Sequence, residues 1–271
     1  MNPEPDVIEV CDLLKEQKDL LGRIHHEATE PPGKVMAIAD LTNFLLFHAL
    51  HIRELAKGAL ILMENHEPYA IVLLSRPALE SAFNMGAAMN DPKFGPQRLA
   101  FEYEEMARKL ELLIKKEVWP RSRRPSPEQC LKKADEIRKQ YNAPVPTERR
   151  DRDRVDKIER IAEVADLSPL YDDEYRQLSL TVHSNQAGIL NAGSGFLVRK
   201  GMLAICVAAL QASASLCDAF RLRATFNDTL LDHEARLADL MRQPDHLPED
   251  PQEIFGEAPS AGGDKRFPGM S

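Results

Sequence analysis

Two short stretches of the chain place polar groups where an apolar helix should carry none. In Leu74-Ser75-Arg76-Pro77-Ala78-Leu79-Glu80-Ser81-Ala82-Phe83-Asn84, the residues Arg76, Glu80 and Asn84 recur at steps of four. On a helix they fall within about 80° of one another. A charge on such a face must be paired or solvated, because an isolated buried charge is too costly. The bland account is an internal ion pair that fixes helix packing. The second stretch, Tyr175-Arg176-Gln177-Leu178-Ser179-Leu180-Thr181-Val182-His183, steps Tyr175, Ser179 and His183 by four. Arg176 and His183 are seven apart and point within about 20° of each other. Leu178, Val182 and Ile189 offer a separate face for burial. A histidine titrating near neutrality can take a proton from a hydroxyl, and an arginine can steady charge growing on a phosphate. Tyr175, Arg176, Ser179 and His183 thus make one polar stripe. Arg76, Glu80, Asn84, Tyr175, Ser179 and His183 form a candidate polar centre. The plain alternative for His183 is a hydrogen-bonded core histidine.

Other constellations offer less. His48 and His51 are three apart and could face one ligand, yet no glutamate is followed three residues later by a histidine, so the di-iron bundle pattern is absent. His25-His26-Glu27 reads as a solvent-facing helix end. There is no phosphate-binding loop, dinucleotide fingerprint or nucleophile elbow. No metal and no cofactor is expected. The arginines 121, 123, 124, 149, 150, 152 and 154 could contact phosphates, but Asp151 and Asp153 partly neutralise them. A solvated excursion is the simpler reading.

Composition narrows the class. Acids outnumber bases 43 to 35, a formal net charge of −8, which disfavours nucleic-acid binding by bulk charge but allows a local basic patch. With only 13 glycines and 6% aromatics in 271 residues, and no β-branched runs, an all-β fold is excluded. Cys11, Cys130, Cys206 and Cys217 form no C-x-x-C pair and read as reduced thiols of a cytoplasmic protein. The N-terminus shows no signal-peptide pattern. Met202 to Phe220 is the membrane candidate, but its alanines, serines, Gln211 and Asp218 suit a central bundle helix better. No membrane partner is expected.

Helical periodicity must position the polar residues. It predicts helices over Val7 to about Ala28, Lys34 to Asn65, Tyr69 to Asn90, and Pro96 to Val118. The third is apolar nearly all round and so central, with Pro77 kinking it. From 119 to 154 five prolines and eleven bases against six acids (residues 120–154) mark an exposed basic excursion around one short helix, Glu128 to Tyr141. Helix resumes over Val155 to Ala165. Ser168-Pro169 signals an N-cap for a helix to about Leu190, and Asn191 to Gly195 breaks it. A last helix spans Phe196 to about Met241, interrupted near Thr225-Phe226-Asn227. Residues 243–271, with five prolines, read as a disordered tail. The expectation is an all-α, up-and-down helical bundle over residues 1–242, with the excursion and the tail appended.

Arg-x-x-x-Glu at Arg76 and Glu80, followed by Tyr-x-x-x-Ser-x-x-x-His at Tyr175, Ser179 and His183, resembles a prokaryotic all-helical domain family of unknown function over roughly residues 35–225. The resemblance implies the fold and one shared centre, and no activity. Arg176-x6-His183 is also similar to the motif of the HEPN helical ribonucleases of bacterial defence and toxin systems, although Gln177 stands where Asn or Asp often follows the arginine. That likeness implies Arg176 and His183 as the catalytic pair, RNA as partner, metal-independent cleavage and a homodimer. Three readings remain: a centre that is structural or binds a small ligand, a ribonuclease using Arg176 and His183, and an interaction or regulatory protein acting through the excursion and tail.

Overall fold

The computed structural model describes residues 5–29, 39–65, 67, 70–118, 120, 125–182 and 195–243. The described residues form helices and no strand. In chain order these are α1 (Pro5–Thr29), α2 (Ala39–Glu64), α3 (Ile71–Asn90), α4 (Phe94–Lys115), α5 (Pro127–Tyr141), α6 (Arg149–Asp156), α7 (Ile158–Val164) and α8 (Ser168–Leu170). A π-helical turn (Tyr171–Tyr175) follows, then α9 (Arg176–Val182), α10 (Gly195–Ala219) and α11 (Arg223–Arg242). His183, Arg121, Arg123, Arg124, the break at 191–194 and the tail from 244 lie outside the described residues.

α3 and α10 are central because both are apolar on most of their circumference. α10 packs against α1, α2, α3 and α11, and α3 against α2, α7, α9 and α10. The core they share runs from Leu13 and Ile24 of α1 through Ile52 of α2 and Phe83 of α3 to Ile205 and Leu216 of α10. Within the described residues Leu197–Ala219 has the length and apolar composition to cross a membrane, and 67% of that window is buried inside the bundle. α2 and α3 run antiparallel, with Gly58 against Leu74 and His51 reaching Ser81. α7 lies close on α3: a Cβ on Gly86 would meet the Ala165 Cβ at 3.0 Å, so glycine there sets how near α7 and the following π turn can approach.

α4 and α5 form an arm with small cores of their own, Ala100 with Ala134 and Ile137, and Ala107 and Leu110 with Cys130. Arg138 ties the arm by its bond to Glu104. α5 starts on a capping box, with Gln129 N–H donating to Ser126 Oγ (3.3 Å) and Ser126 N–H to Gln129 Oε1 (3.0 Å).

Several expected boundaries move. The excursion holds a second helix, α6, whose alternating charges become i,i+4 pairs such as Arg149–Asp153 (3.9 Å) once the chain coils. Val155 closes α6 rather than opening α7, and its carbonyl accepts from Arg98 of α4. The last long helix breaks at Phe220–Leu222, before Thr225. There Leu222 N–H donates to Cys217 O (2.8 Å) and Arg221 takes φ 59°, a Schellman end. Pro77 leaves α3 an unbroken helix. The N-cap before Pro169 is Leu167 rather than Ser168, which is already the first helical residue.

Candidate functional site

Arg76 and Glu80 sit one turn apart on α3, and Arg76 Nε donates to Glu80 Oε1 at 3.0 Å. Tyr175 comes to them from the π turn. Arg76 Nε also donates to Tyr175 Oη at 2.8 Å, and Tyr175 Oη donates to Glu80 Oε1 at 2.7 Å. The three groups form a closed triangle across a sequence gap of about a hundred residues.

The π turn is what presents Tyr175. Arg176 N–H donates to the Tyr171 carbonyl five residues back, which widens the turn by one residue. Across this turn the Tyr171 and Tyr175 rings stack at 5.2 Å and 20°. Phe83 of α3 meets the Tyr175 ring edge-on at 6.0 Å, and the Arg76 guanidinium lies 5.3 Å from its centroid. The phenol is thus fixed by an aromatic wall on one side and a cation on the other.

Burial, reinforced by the bond to Glu80, pushes the Tyr175 hydroxyl well above its ordinary range, so it stays a donor. Burial works against the Arg76 charge, but Glu80 and Tyr175 outweigh it and hold the guanidinium protonated. The Arg76 and Glu80 side chains are 28% and 37% exposed, so the triangle stands at the rim of the bundle rather than in its centre. Chemically it offers a neutralised ion pair and a locked hydroxyl, an arrangement that orients helices.

The remaining candidates are distributed otherwise. Asn84 is buried and donates from Nδ2 to the Glu80 backbone carbonyl at 2.8 Å, while its Oδ1 has no donor among the described residues. Ser179, half-buried, lies one turn beyond Tyr175 on α9. Arg176 does not join the triangle: its side chain is 65% exposed and pairs with Asp172 Oδ1 at 3.1 Å.

His48 and His51 do not converge. His48 turns inward, edge-on to Phe44 at 4.5 Å, and burial, then His51 and Arg98, push its imidazole down to about 3, so it is neutral. His51 Nδ1 instead shares a hydrogen bond with Ser81 Oγ at 2.9 Å. That pair escaped the sequence reading because serine on an apolar helix carries no distinctive spacing. Among the described residues no group of three His, Cys, Asp or Glu could hold a metal ion.

An all-helical domain whose third helix and a distant tyrosine share one polar triangle is the class that these observations define. The chain belongs to the Family of unknown function (DUF5677), whose model matches residues 42–194. The match runs from α2 through the end of α9 and beyond it to 194, so it contains the whole triangle and excludes α1, α10 and α11. No curated protein and no solved structure matches the chain.

Proposed function

We propose that Arg76, Glu80 and Tyr175 form a structural clasp that seats the π turn on α3 and so positions the stretch bearing Ser179 and His183. The observation that carries this reading is closure: each of the three groups is answered by the other two within 3.0 Å. A fully answered polar set rigidifies and specifies packing, whereas a half-answered one costs stability. A small ligand at this place would have to compete for bonds already made. The compartment that suits the protein is the bacterial cytoplasm, supported by four free cysteines, three of them buried. A double-mutant cycle of Tyr175→Phe and Glu80→Gln in urea denaturation should give a coupling of about 1 to 2 kcal/mol. Coupling near zero would mean that the triangle is incidental.

A second reading, a HEPN-like ribonuclease using Arg176 and His183 on RNA without a metal, draws on one feature: the exposed Arg176 is within reach of a phosphate. Its test is degradation of a defined RNA by the full chain. Under the clasp reading no cleavage is expected, and cleavage abolished by His183→Ala and impaired by Arg176→Lys would favour the enzyme.

A further inference from the structure

α2 is packed on all sides but one. α1 meets it where Arg53 lies over Gly22, and α3 where His51 reaches Ser81 and Gly58 faces Leu74; α4 and α10 pack on it as well. The side left to solvent carries Phe47, Leu50, Glu54, Lys57, Ile61 and Glu64, all exposed. Their spacing alternates between three and four, which keeps them within about 100° of one another over about 26 Å of helix. That spacing is the seam of a two-stranded coiled coil. Phe47 is 66%, Leu50 40% and Ile61 44% exposed, and apolar side chains gathered on one solvent-facing stripe mark an interaction surface.

The charges in the middle of the seam indicate what covers it. Glu54 and Lys57 stand one turn apart, yet neither forms an ion pair among the described residues. A stripe with an acid and a base at its centre and apolar residues on either side answers its own antiparallel copy. With a twofold axis midway between Glu54 and Lys57, each Glu54 falls opposite the partner's Lys57, and each Leu50 opposite the partner's Ile61. Phe47 meets the stem of the partner's Glu64 at the rim, where the carboxylate stays in water. Arg53, the one further arginine, lysine or acid between Phe47 and Glu64, leans on Gly22 of α1 and stays beside the seam. A parallel pairing would set glutamate on glutamate and lysine on lysine. Sliding the antiparallel pair by one heptad would set Glu54 against either Leu50 or Glu64. The charges thus select orientation and register, as a polar residue does in an apolar seam.

We propose that this face of α2 docks antiparallel on the same face of a second copy to make a twofold homodimer. The dimer depends on α2 and stands apart from the Tyr175 clasp. In sedimentation equilibrium over a dilution series, the full chain should pass from a dimer to its 30.5 kDa monomer. Lys57→Glu and Glu54→Lys each set like charges across the axis and should raise the dissociation constant by about tenfold or more. The two together should restore it to near the parent value. Leu50→Glu, facing the partner's Ile61, should leave only monomer where the parent is dimeric. All three positions are exposed, and circular dichroism of each variant separates lost association from lost folding. A parent chain that stays monomeric at every concentration overturns the proposal. So does a dimer that ignores both single reversals, or one that the double exchange fails to restore.

Discussion

The molecule carries two clasps of nearly the same composition, and they behave differently. Arg76, Glu80 and Tyr175 join α3 to the π turn; Arg236, Glu16 and His233 join α11 to α1. In the second, Arg236 holds both Glu16 oxygens, one of them at 3.3 Å, and His233 Nε2 stands 3.5 Å from Glu16 Oε2. His233 is buried, and its Nδ1 has no partner among the described residues. Tyrosine answers its glutamate and its arginine through one oxygen. Histidine needs two partners in opposite directions and is given one. The difference teaches that the closure of a polar set, rather than its residue types, decides how much it can hold. The closed clasp lies inside the family match and the open one outside it.

Removing the acid should rank the two. Glu80→Ala takes the carboxylate from Arg76 and leaves the buried Tyr175 hydroxyl without its Glu80 acceptor. With about a third of the pair exposed, the loss should be about 2 to 3 kcal/mol, below that of a fully buried pair. Glu16 is 49% exposed and Arg236 can turn to Asp232, 3.7 Å away, so Glu16→Ala should cost about 1 kcal/mol or less. Urea midpoints of the two variants check the order. Equal losses would mean that closure confers no advantage.

What could be seen of this beforehand depended on periodicity. The i,i+4 steps of Arg76 and Glu80, and the need of any buried charge for a partner, point from α3 towards the Tyr175 stretch. The π turn could not be seen, because inserting one residue into a helical turn leaves no mark in residue type. The ends of α4 and α10 were placed too late for a related reason, whereas those of α5 and α7 were placed to within a residue. The left-handed positions that close α4, α5, α7 and α10 are Glu117, Asn142, Asp166 and Arg221, with φ between 49° and 59°. None is glycine, and three are neither glycine nor asparagine, so the usual stop signal was missing. Core helices were legible throughout, since α3 and α10 are apolar nearly all round and α1 carries one continuous apolar stripe. α6 was not, because its i,i+4 pairing becomes visible only after the chain has coiled.

The two clasps should also fail at opposite ends of the pH scale, which is the finest way to tell them apart. Burial and the Glu80 bond raise the Tyr175 hydroxyl above the ordinary tyrosine value of 10.0. Its contribution is therefore fully present below that value and lost as the pH climbs towards the raised one. Tyr175→Phe should be less stable than the parent at neutral pH, with the gap narrowing above pH 10.0. His233 is lowered from 6.5 by burial, although Glu16 pulls the other way. Glu16 is lowered from 4.5 mainly by its bond to Arg236, against its own desolvation. Both contributions are present above the ordinary values and lost as the pH falls through the lowered ones. His25 and His48 are lowered as well and steepen the acid limb of every variant, so the informative quantity is a difference between two proteins. The stability difference between the parent and Glu16→Gln should shrink by about half a kcal/mol or less as the pH falls below 4.5 through the lowered Glu16 value, since the pair is half open to water. A difference that stays flat in acid and instead closes in alkali would show that the α1–α11 contact is held by something other than the Glu16 charge.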